Sequence, residues 1–332
     1  MTKKYELTDE TFVVENKGVT SVLRRIRALK DIDNYGVKAG DLGGFVQFID
    51  EGDGEGNLSQ EGDCWVADDA MVFGNARVTH NAFVIRDAMV YGYAQVSEDA
   101  CVTDSARVSG DANVTDFAMI EGNAIVTDYA SVEGLPRVKE DAEVRGNAVI
   151  EGCSLVSGAA RVLGYSRIKD NAHVYGAVTV EHAAPDGDSL TPYIGGNAKV
   201  IGNDMLITDH ATVTDDVVVM GRVLLKNDVV LEGEALVSGD MSDEHEGVII
   251  SDAVTVGGTA KVQGGVKLSE DVVVLGGVIQ GRSQLKGMVR VEGDDVLVDG
   301  ESDLSGNEVF TEGKYIDFSN ELISLAQRPS GG

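Results

Sequence analysis

Small β-branched residues recur at every sixth position along most of the chain. From Val66 to Val180, twenty consecutive positions spaced six apart are all Val or Ile, and fifteen of the twenty residues two places before them are Ala. Residues two apart on a strand point to the same side, whereas an α-helix of 3.6 residues per turn cannot keep a period of six on one face. The pattern therefore predicts many short strands, each with an Ala and a Val or Ile facing inward.

The residues between these strands predict tight corners. A typical unit is NAVIEG, from Asn147 to Gly152, and Gly adopts positive φ freely while Asn and Asp tolerate it. Short strands joined corner after corner wind into a solenoid, in which each strand pairs in parallel with its equivalent one coil along. Three six-residue sides make a coil of 18 residues. We therefore predict an all-β, parallel β-helix with Val in a dry interior and Ala where the wall turns.

The period is interrupted twice. The proline-containing stretch 181–196 and the acidic stretch 238–247 predict excursion loops. The six-residue period resumes in new frames from Ile207 and from Ile250, and in the last frame it predicts an inward Leu297.

Both ends of such a solenoid need a cover, because an open end is an unpaired sheet edge. We therefore predict an N-terminal β-hairpin cap within residues 1–45 and a solenoid over residues 46–300. A C-terminal cap or tail is predicted over residues 301–332, with a short helix over residues 318–328.

Outward residues of the first coils are apolar on two adjacent faces and polar on the third. An exposed apolar patch on a folded protein usually marks an interface. Two explanations stay open: self-association into a dimer or trimer, and coverage of the patch by the N-terminal cap. The candidate interface residues are Trp65, Phe83, Met71, Phe73, Met89, Tyr91 and Met119.

The formal net charge of −29 over 332 residues narrows the classes of partner. Like charges would have to approach each other if the chain bound a nucleic acid directly or an anionic membrane, so neither partner is expected. No apolar run reaches the ~18–20 residues of a membrane span, and the N-terminus has no signal region, so we expect a cytoplasmic protein. The three Cys residues lack the spacing of a metal site, and no metal is predicted.

The repeated unit resembles that of the hexapeptide-repeat proteins, whose fold is the left-handed parallel β-helix, commonly as a trimer. The stretch from Ser21 to Val66, with SVLRRIRALKDI, VKAGDLGGFV and NLSQEGDCWV, is similar to the YdcK-type bacterial members of this group. The resemblance implies a left-handed coil, a homo-oligomer and an activity of the acyltransferase type. For such an activity acyl-CoA would be the donor, and no other cofactor is implied.

The resemblance also directs attention to histidines, because hexapeptide acyltransferases typically use a histidine as general base. It implies His173 or His182 as the base, with Asp186 and Asp188 as orienting carboxylates. The alternative is that both histidines are ordinary surface residues, since a fold does not supply a function.

Two functions therefore stay open. One is an acyltransferase with a subunit-interface site near the 181–196 loop. The other is a non-enzymatic acidic binding or scaffold protein that engages a protein partner, including a decoy that mimics a nucleic acid or a nucleotide.

Overall fold

Parallel strands wound into coils make up most of the protein. The computed structural model describes residues 3–16, 18–49, 56–182, 191–240, 247–312 and 315–317. The chain divides into two compact units, Met1–Ala159 and Ala160–Gly332. Each unit contains parallel strands that pair with their equivalents one coil further along the chain.

The first unit begins with three longer strands and continues with two-residue and three-residue strands. A single turn of 3-10 helix, Asp33–Tyr35, lies between the second and third strands. The strands are β1 (Tyr5–Asn16), β2 (Val19–Ala28), β3 (Leu42–Val46), β4 (Trp65–Val66), β5 (Met71–Val72), β6 (Arg77–Val78), β7 (Phe83–Val84), β8 (Met89–Val90), β9 (Gln95–Val96), β10 (Cys101–Val102), β11 (Arg107–Val108), β12 (Asn113–Val114), β13 (Met119–Ile120), β14 (Ile125–Val126), β15 (Ser131–Val132), β16 (Arg137–Val138), β17 (Glu143–Val144), β18 (Val149–Ile150) and β19 (Leu155–Ser157).

Three parallel ladders form the sides of the first unit. One side runs through β4, β7, β10, β13, β16 and β19, and another through β6, β9, β12, β15 and β18. The remaining side runs from β5 through β8, β11 and β14 to β17. The antiparallel strands β1, β2 and β3 extend this last side, because β3 pairs in parallel with β5.

The second unit has the same design with longer strands in its first coils. Its strands are β20 (Arg161–Gly164), β21 (Arg167–Ile168), β22 (His173–His182), β23 (Tyr193–Ile194), β24 (Lys199–Thr208), β25 (Thr212–Val213), β26 (Val218–Met220), β27 (Val223–Lys226), β28 (Val230–Leu231), β29 (Leu236–Gly239), β30 (Val248–Ser251), β31 (Thr255–Val256), β32 (Lys261–Gly264), β33 (Lys267–Leu268), β34 (Val273–Val274), β35 (Val278–Ile279), β36 (Gln284–Gly287), β37 (Arg290–Val291), β38 (Leu297–Asp299), β39 (Asp303–Gly306), β40 (Val309–Phe310) and β41 (Tyr315–Asp317). The ten-residue strand β24 continues across two sides, since it pairs with both β26 and β27.

With the exception of Leu297, the residues that the six-residue period predicts to be inward are buried. Ala106 and Val108 are fully buried, and the same holds for the equivalent Ala and Val or Ile in coil after coil. The N–H of Arg107 donates to the carbonyl of Ala124 at 2.9 Å, which is the repeating bond of the parallel ladder. The predicted all-β, parallel β-helical fold with an N-terminal β-hairpin is confirmed, and its coils are consistent with the left-handed class.

One register prediction is wrong. Leu297 faces partly outward, and the next residue, Val298, is fully buried in its place. The cause is one extra residue in the preceding corner, since Val298 pairs with Ile279 and lies seven residues after the inward Val291. A period read from sequence cannot detect a single added corner residue when Leu and Val are adjacent.

Parts of the predicted loops and of the C-terminal cap lie outside the described residues. Strand β22 reaches His182 and β23 begins at Tyr193, so both edges of the predicted 181–196 excursion belong to the ladders, and residues 183–190 are not described. Residues 241–246 of the second excursion and the helix predicted over residues 318–328 are likewise outside the described part.

Every corner of a regular coil contains one residue in the left-handed region. These residues follow one another at intervals of six and are Gly, Asp or Glu in most cases. At eight of the acidic corners, the carboxylate accepts a hydrogen bond from the backbone N–H of the corner residue one coil further. Asp116, with φ of 58°, accepts from Gly134 N–H at 2.9 Å. The same contact joins Asp104 to Gly122, Asp128 to Gly146, Glu140 to Gly158, Asp170 to Gly196, Asp209 to Asn227, Asp215 to Gly233 and Asp252 to Glu270.

The N-terminal strands cover the apolar outer surface of the first coils. Leu23 and Phe45 from these strands pack with Met71 and Phe73 in one buried cluster. Trp65 is 1% exposed on the neighbouring side. Of the two explanations that the sequence left open for this surface, coverage by the cap applies to Trp65, Met71 and Phe73.

Tyr35 covers a further aromatic residue of the first coils. Its ring stacks on Phe83 with centroids 4.1 Å apart and an interplanar angle of 5°. Its hydroxyl donates to the backbone carbonyl of Asn81. Burial, followed by the nearby Asp99 and Cys101, raises the pKa of Tyr35 to about 12.

A buried lysine closes the N-terminal end of the first coils. Lys4 is fully buried, and its Nζ donates to the carbonyl oxygens of Cys64 at 2.9 Å and of Glu61 at 3.2 Å. It also lies 3.1 Å from Cys64 Sγ. Burial lowers the pKa of Lys4 and raises the pKa of Cys64. The amine thereby satisfies carbonyl groups that have no preceding coil to pair with.

We expect Asp116→Ala to lower the free energy of unfolding by about 1–2 kcal/mol, because it removes the Gly134 contact and leaves a residue poorly suited to positive φ. Asp116→Gly loses the same contact but fits the corner, so it should remain within about 0.5 kcal/mol of the wild type. Urea denaturation of the three proteins measures the difference. Equal stability of the Ala and Gly variants would refute the conformational part of this explanation.

Tyr35 should make the protein sensitive to alkaline pH. A tyrosine whose pKa rises from 10.0 to about 12 on folding stabilises the folded state below pH 10, and this contribution is lost as the pH rises through about 12. We therefore expect Tyr35→Phe to lose less thermal stability than the wild type between pH 10 and 12. Melting temperatures measured against pH give the comparison, and parallel curves for the two proteins would contradict the assignment.

Candidate functional site

A groove of about 490 Å³ lies along one corner edge of the second unit. Successive coils contribute pairs of neighbouring residues to it, so its walls are two parallel rows of side chains. We call it the His182 groove, and its lining residues are His182, Asp209, His210, Asn227, Asp228, Asp252, Ala253, Glu270 and Asp271.

The coil geometry brings these residues together. Strands β22, β24, β27 and β30 end at the same corner, so the residue that follows or ends each strand lies one coil from the next. Four of these corner residues have left-handed backbones, with φ between 58° and 68°: Asp209, Asn227, Asp252 and Glu270. Their side chains therefore leave the corner in the same direction, at intervals of ~4.8 Å.

His182 is the most enclosed polar residue of the groove. It is 8% exposed, and its Nδ1 has no hydrogen-bond partner among the described residues. One coil earlier, Gly164 has φ of +67°, and a Cβ there would lie 1.9 Å from the carbonyl oxygen of His182. Only glycine allows the coil to pass this close beneath the histidine. A buried nitrogen without a partner is unfavourable unless a ligand engages it.

A second histidine faces the first. The rings of His182 and His210 have centroids 5.7 Å apart at 45°. Nδ1 of His210 lies 2.9 Å from Oδ1 of Asp228, and a proton on Nδ1 is donated to that carboxylate. This contact orients the ring, and in the neutral tautomer with the proton on Nδ1 the lone pair is on Nε2. The groove thus contains one oriented histidine–carboxylate pair beside one unpartnered histidine.

Carboxylates dominate the lining of the groove. Its nine lining residues include five acids and no Lys or Arg. Asp252 is held in the charged form, because the backbone N–H of Glu270, the Ser251 hydroxyl, the Asn227 amide and nearby Lys226 lower its pKa. The arrangement favours a positively charged or hydrogen-bond-donating ligand over a phosphate.

The structure separates the two histidines that the resemblance suggested as a base. His173 begins β22 on the exposed surface, and His182 ends the same strand in the groove. His173 therefore does not contribute to the His182 groove. The suggested orienting residues, Asp186 and Asp188, lie outside the described residues.

The seven candidate interface residues fall into two groups. Trp65, Met71 and Phe73 are buried under the N-terminal strands, to 1%, 8% and 4% exposure, as the cap-coverage alternative predicts. The other residues of the set are half-buried, and an interface role for them stays a prediction: Phe83, Met89, Tyr91 and Met119.

Sequence reasoning missed His210 and Asp228. A signal was present, because these residues are 18 positions apart and 18 residues make one coil. The contact between His182 and His210 had no such signal, since the 181–196 stretch interrupts the period between them. Only the paired strands β22 and β24 place them side by side.

Two other kinds of site are absent from the described residues. Within the described ranges, no group of three or more His, Cys, Asp or Glu side chains has a geometry that would hold a metal ion. The same residues include no helix long and apolar enough to cross a membrane.

Comparison with known proteins yields similarity at the level of solved structures. No family model matches the chain, and no curated protein matches it. Twenty-one chains of solved structures match. One is a UDP-N-acetylglucosamine acyltransferase from Campylobacter jejuni, 19% identical, with a TM-score of 0.35 over 58% of this chain and 71% of that chain. The β-helical fold itself is established by the strand pairing within this chain.

Proposed function

We propose that the protein is an enzyme of the acyltransferase type, in which His182 is the general base for an acceptor bound in the His182 groove. The observation that carries the proposal is the buried, unpartnered Nδ1 of His182. A histidine in this position can accept a proton from a bound nucleophile, and a positioned base of this kind contributes typically 10²–10⁴-fold to a rate. The resemblance of the repeat to hexapeptide acyltransferases supports the reaction class.

The proposed reaction joins an acceptor amine or hydroxyl to an acyl thioester. His182 removes the proton of the nucleophile as its nitrogen or oxygen attacks the acyl carbon, and an amide or ester bond forms while the carbon–sulfur bond breaks. The same proton then passes from His182 to the leaving thiolate. His210, oriented by Asp228 at 2.9 Å, lies beside the base and contributes a second proton-accepting nitrogen.

The groove also limits how a donor is bound. Acyl-CoA has several phosphate groups, and the five acids of the groove would repel them. We therefore propose that the acyl group and its flexible thiol arm reach His182 while the nucleotide part binds outside the groove. A subunit-interface site, as the resemblance implies, would supply such a surface from a second copy.

We propose that the active form is a homo-oligomer, a dimer or a trimer. The support comes from the first unit. The cap does not bury four of its outward apolar residues completely, and these remain half-buried: Phe83, Met89, Tyr91 and Met119. Partly exposed apolar side chains on adjacent coils form the kind of patch that a second copy covers.

A non-enzymatic binding protein is the second candidate function. The observation that favours it is the acidic lining of the groove, which can bind a positively charged partner without any reaction. A decoy for nucleic-acid-binding proteins receives less support, because many carboxylates are already engaged by backbone N–H groups at corners.

We expect His182→Gln to lower the rate of acyl transfer at least about 100-fold, because a glutamine amide cannot act as a general base. Glutamine is chosen because it is polar and similar in length to histidine. The measurement is thiol release from acetyl-CoA in the presence of a panel of amines and alcohols. His173→Gln changes a histidine of the same strand outside the groove and should retain the wild-type rate.

If the protein only binds its ligand, no thiol release is expected. No thiol release with any acceptor, or equal rates for the wild type and His182→Gln, would refute the enzymatic proposal. Loss of activity in His173→Gln alone would assign the base to the other end of β22. Circular dichroism and melting curves confirm that each variant is folded.

We expect sedimentation velocity to show a dimer or trimer at micromolar concentration. Met119→Glu places a charge within the half-buried patch and should shift the protein toward the monomer, whereas Ser131→Glu changes the polar side of the same unit and should have no such effect. A wild-type monomer at these concentrations would contradict the proposed oligomer.

A further inference from the structure

We infer that the His182 groove is a binding site for a linear organic cation with two or more ammonium groups, a di- or polyamine. Binding itself depends only on the groove, while the further statement that this cation is the acyl acceptor rests on the proposed function. The two statements are therefore tested separately.

The first argument is electrostatic. Five carboxylates line about 490 Å³ of groove, and no Lys or Arg lines it. Asp228 contacts His210, while Glu270 and Asp271 form no ion pair with a described Lys or Arg. A cation that enters the groove therefore meets the carboxylates of Glu270 and Asp271, while Asp252 is already stabilised by nearby Lys226.

The second argument is the shape of the charge distribution. Neighbouring coils are ~4.8 Å apart, so Asp228 and Asp271, two coils apart in one row, are separated by roughly 10 Å. In the other row, Asp209 and Asp252 are separated in the same way. A single small cation neutralises one such position at a time, whereas an extended chain with ammonium groups at intervals of a few carbon atoms contacts several coils together.

The third argument distinguishes an amine from a metal ion. The described residues hold no group of three donors that could bind a metal ion, although the groove is rich in carboxylates. The carboxylates are spread along an edge instead of converging on a point. Ammonium groups suit this arrangement, because each donates three hydrogen bonds and needs no fixed coordination geometry.

The fourth argument is the position of His182. It lies at one end of the row of acids, buried to 8% exposure with Nδ1 unpartnered. An ammonium nitrogen placed there donates a hydrogen bond to Nδ1, which satisfies the buried atom. The remaining ammonium groups of the same molecule then lie along the carboxylates of the following coils.

Together with the proposed function, this position defines a reaction. His182 takes one proton from the terminal ammonium group and leaves a neutral amine, which attacks the acyl carbon of a thioester. The carbon–nitrogen bond of an amide forms, the carbon–sulfur bond breaks, and one N–H proton passes to the sulfur to give a free thiol. The acyl thioester is the only co-reactant required.

The test is isothermal titration of the full-length protein with spermidine, with 1,4-butanediol as a neutral probe of similar form. We expect saturable binding of spermidine and none of the diol. Glu270→Gln combined with Asp271→Asn removes two groove charges and should weaken binding at least about tenfold. Glu232→Gln combined with Glu234→Gln removes two exposed charges elsewhere in the same unit and should change binding less than about twofold.

The outcomes separate the inference from the proposed function. Equal weakening by both double variants would show binding to the overall negative charge and would overturn the inference, as would absence of saturable binding. Specific binding without thiol release from acetyl-CoA supports the cation site and refutes catalysis. Thiol release with a neutral alcohol but no binding of spermidine supports catalysis and refutes the cation site. In a protein that binds spermidine, the additional change His182→Gln should abolish acyl transfer to spermidine.

Discussion

The left-handed corner residue is the constraint on which the rest of the structure depends. A side of six residues returns to the same inward position only if the chain turns sharply once per side, and one residue at positive φ makes that turn. The corner backbone has an N–H that the strand ladder leaves unpaired. An Asp or Glu in the preceding coil satisfies it, as Asp116 does for Gly134. Acidic composition is therefore partly a structural property, since carboxylates at corners are hydrogen-bond acceptors before they are surface charges.

The candidate site keeps these corner contacts but has no glycine at its corners. At one edge of the second unit the corner positions are occupied by Asp209, Asn227, Asp252 and Glu270, with no glycine among them. His182 takes the corresponding position one coil earlier, and its Nδ1 has no partner among the described residues. The corner geometry is the same as in the regular coils, and at this edge it aligns the side chains in rows. A functional groove can thus arise from the repeat without any added domain.

The fold was largely predictable from sequence because its determinants are local and repeated. Inward Val108 and Ala106 follow directly from a period of six, and the corners follow from Gly and Asp. The sequence could not decide whether the cap or a second copy covers Met71, because the cap residues do not share the six-residue period. Leu297 was misassigned because one added residue in a corner moves the inward position without changing the composition. For the site, His182 came from the resemblance alone, whereas its neighbour His210 required paired strands across an interrupted period.

The N-terminal cap affects the order in which the coils unfold. In a solenoid each coil is stabilised chiefly by its immediate neighbours, so loss of structure can begin at an end and proceed one coil at a time. Buried Lys4 and the hairpin packed on Phe73 bind the first coils to a segment that is antiparallel and far more interconnected. Fraying from that end must first break these contacts. We therefore expect the cap to slow unfolding that begins at this end of the first coils.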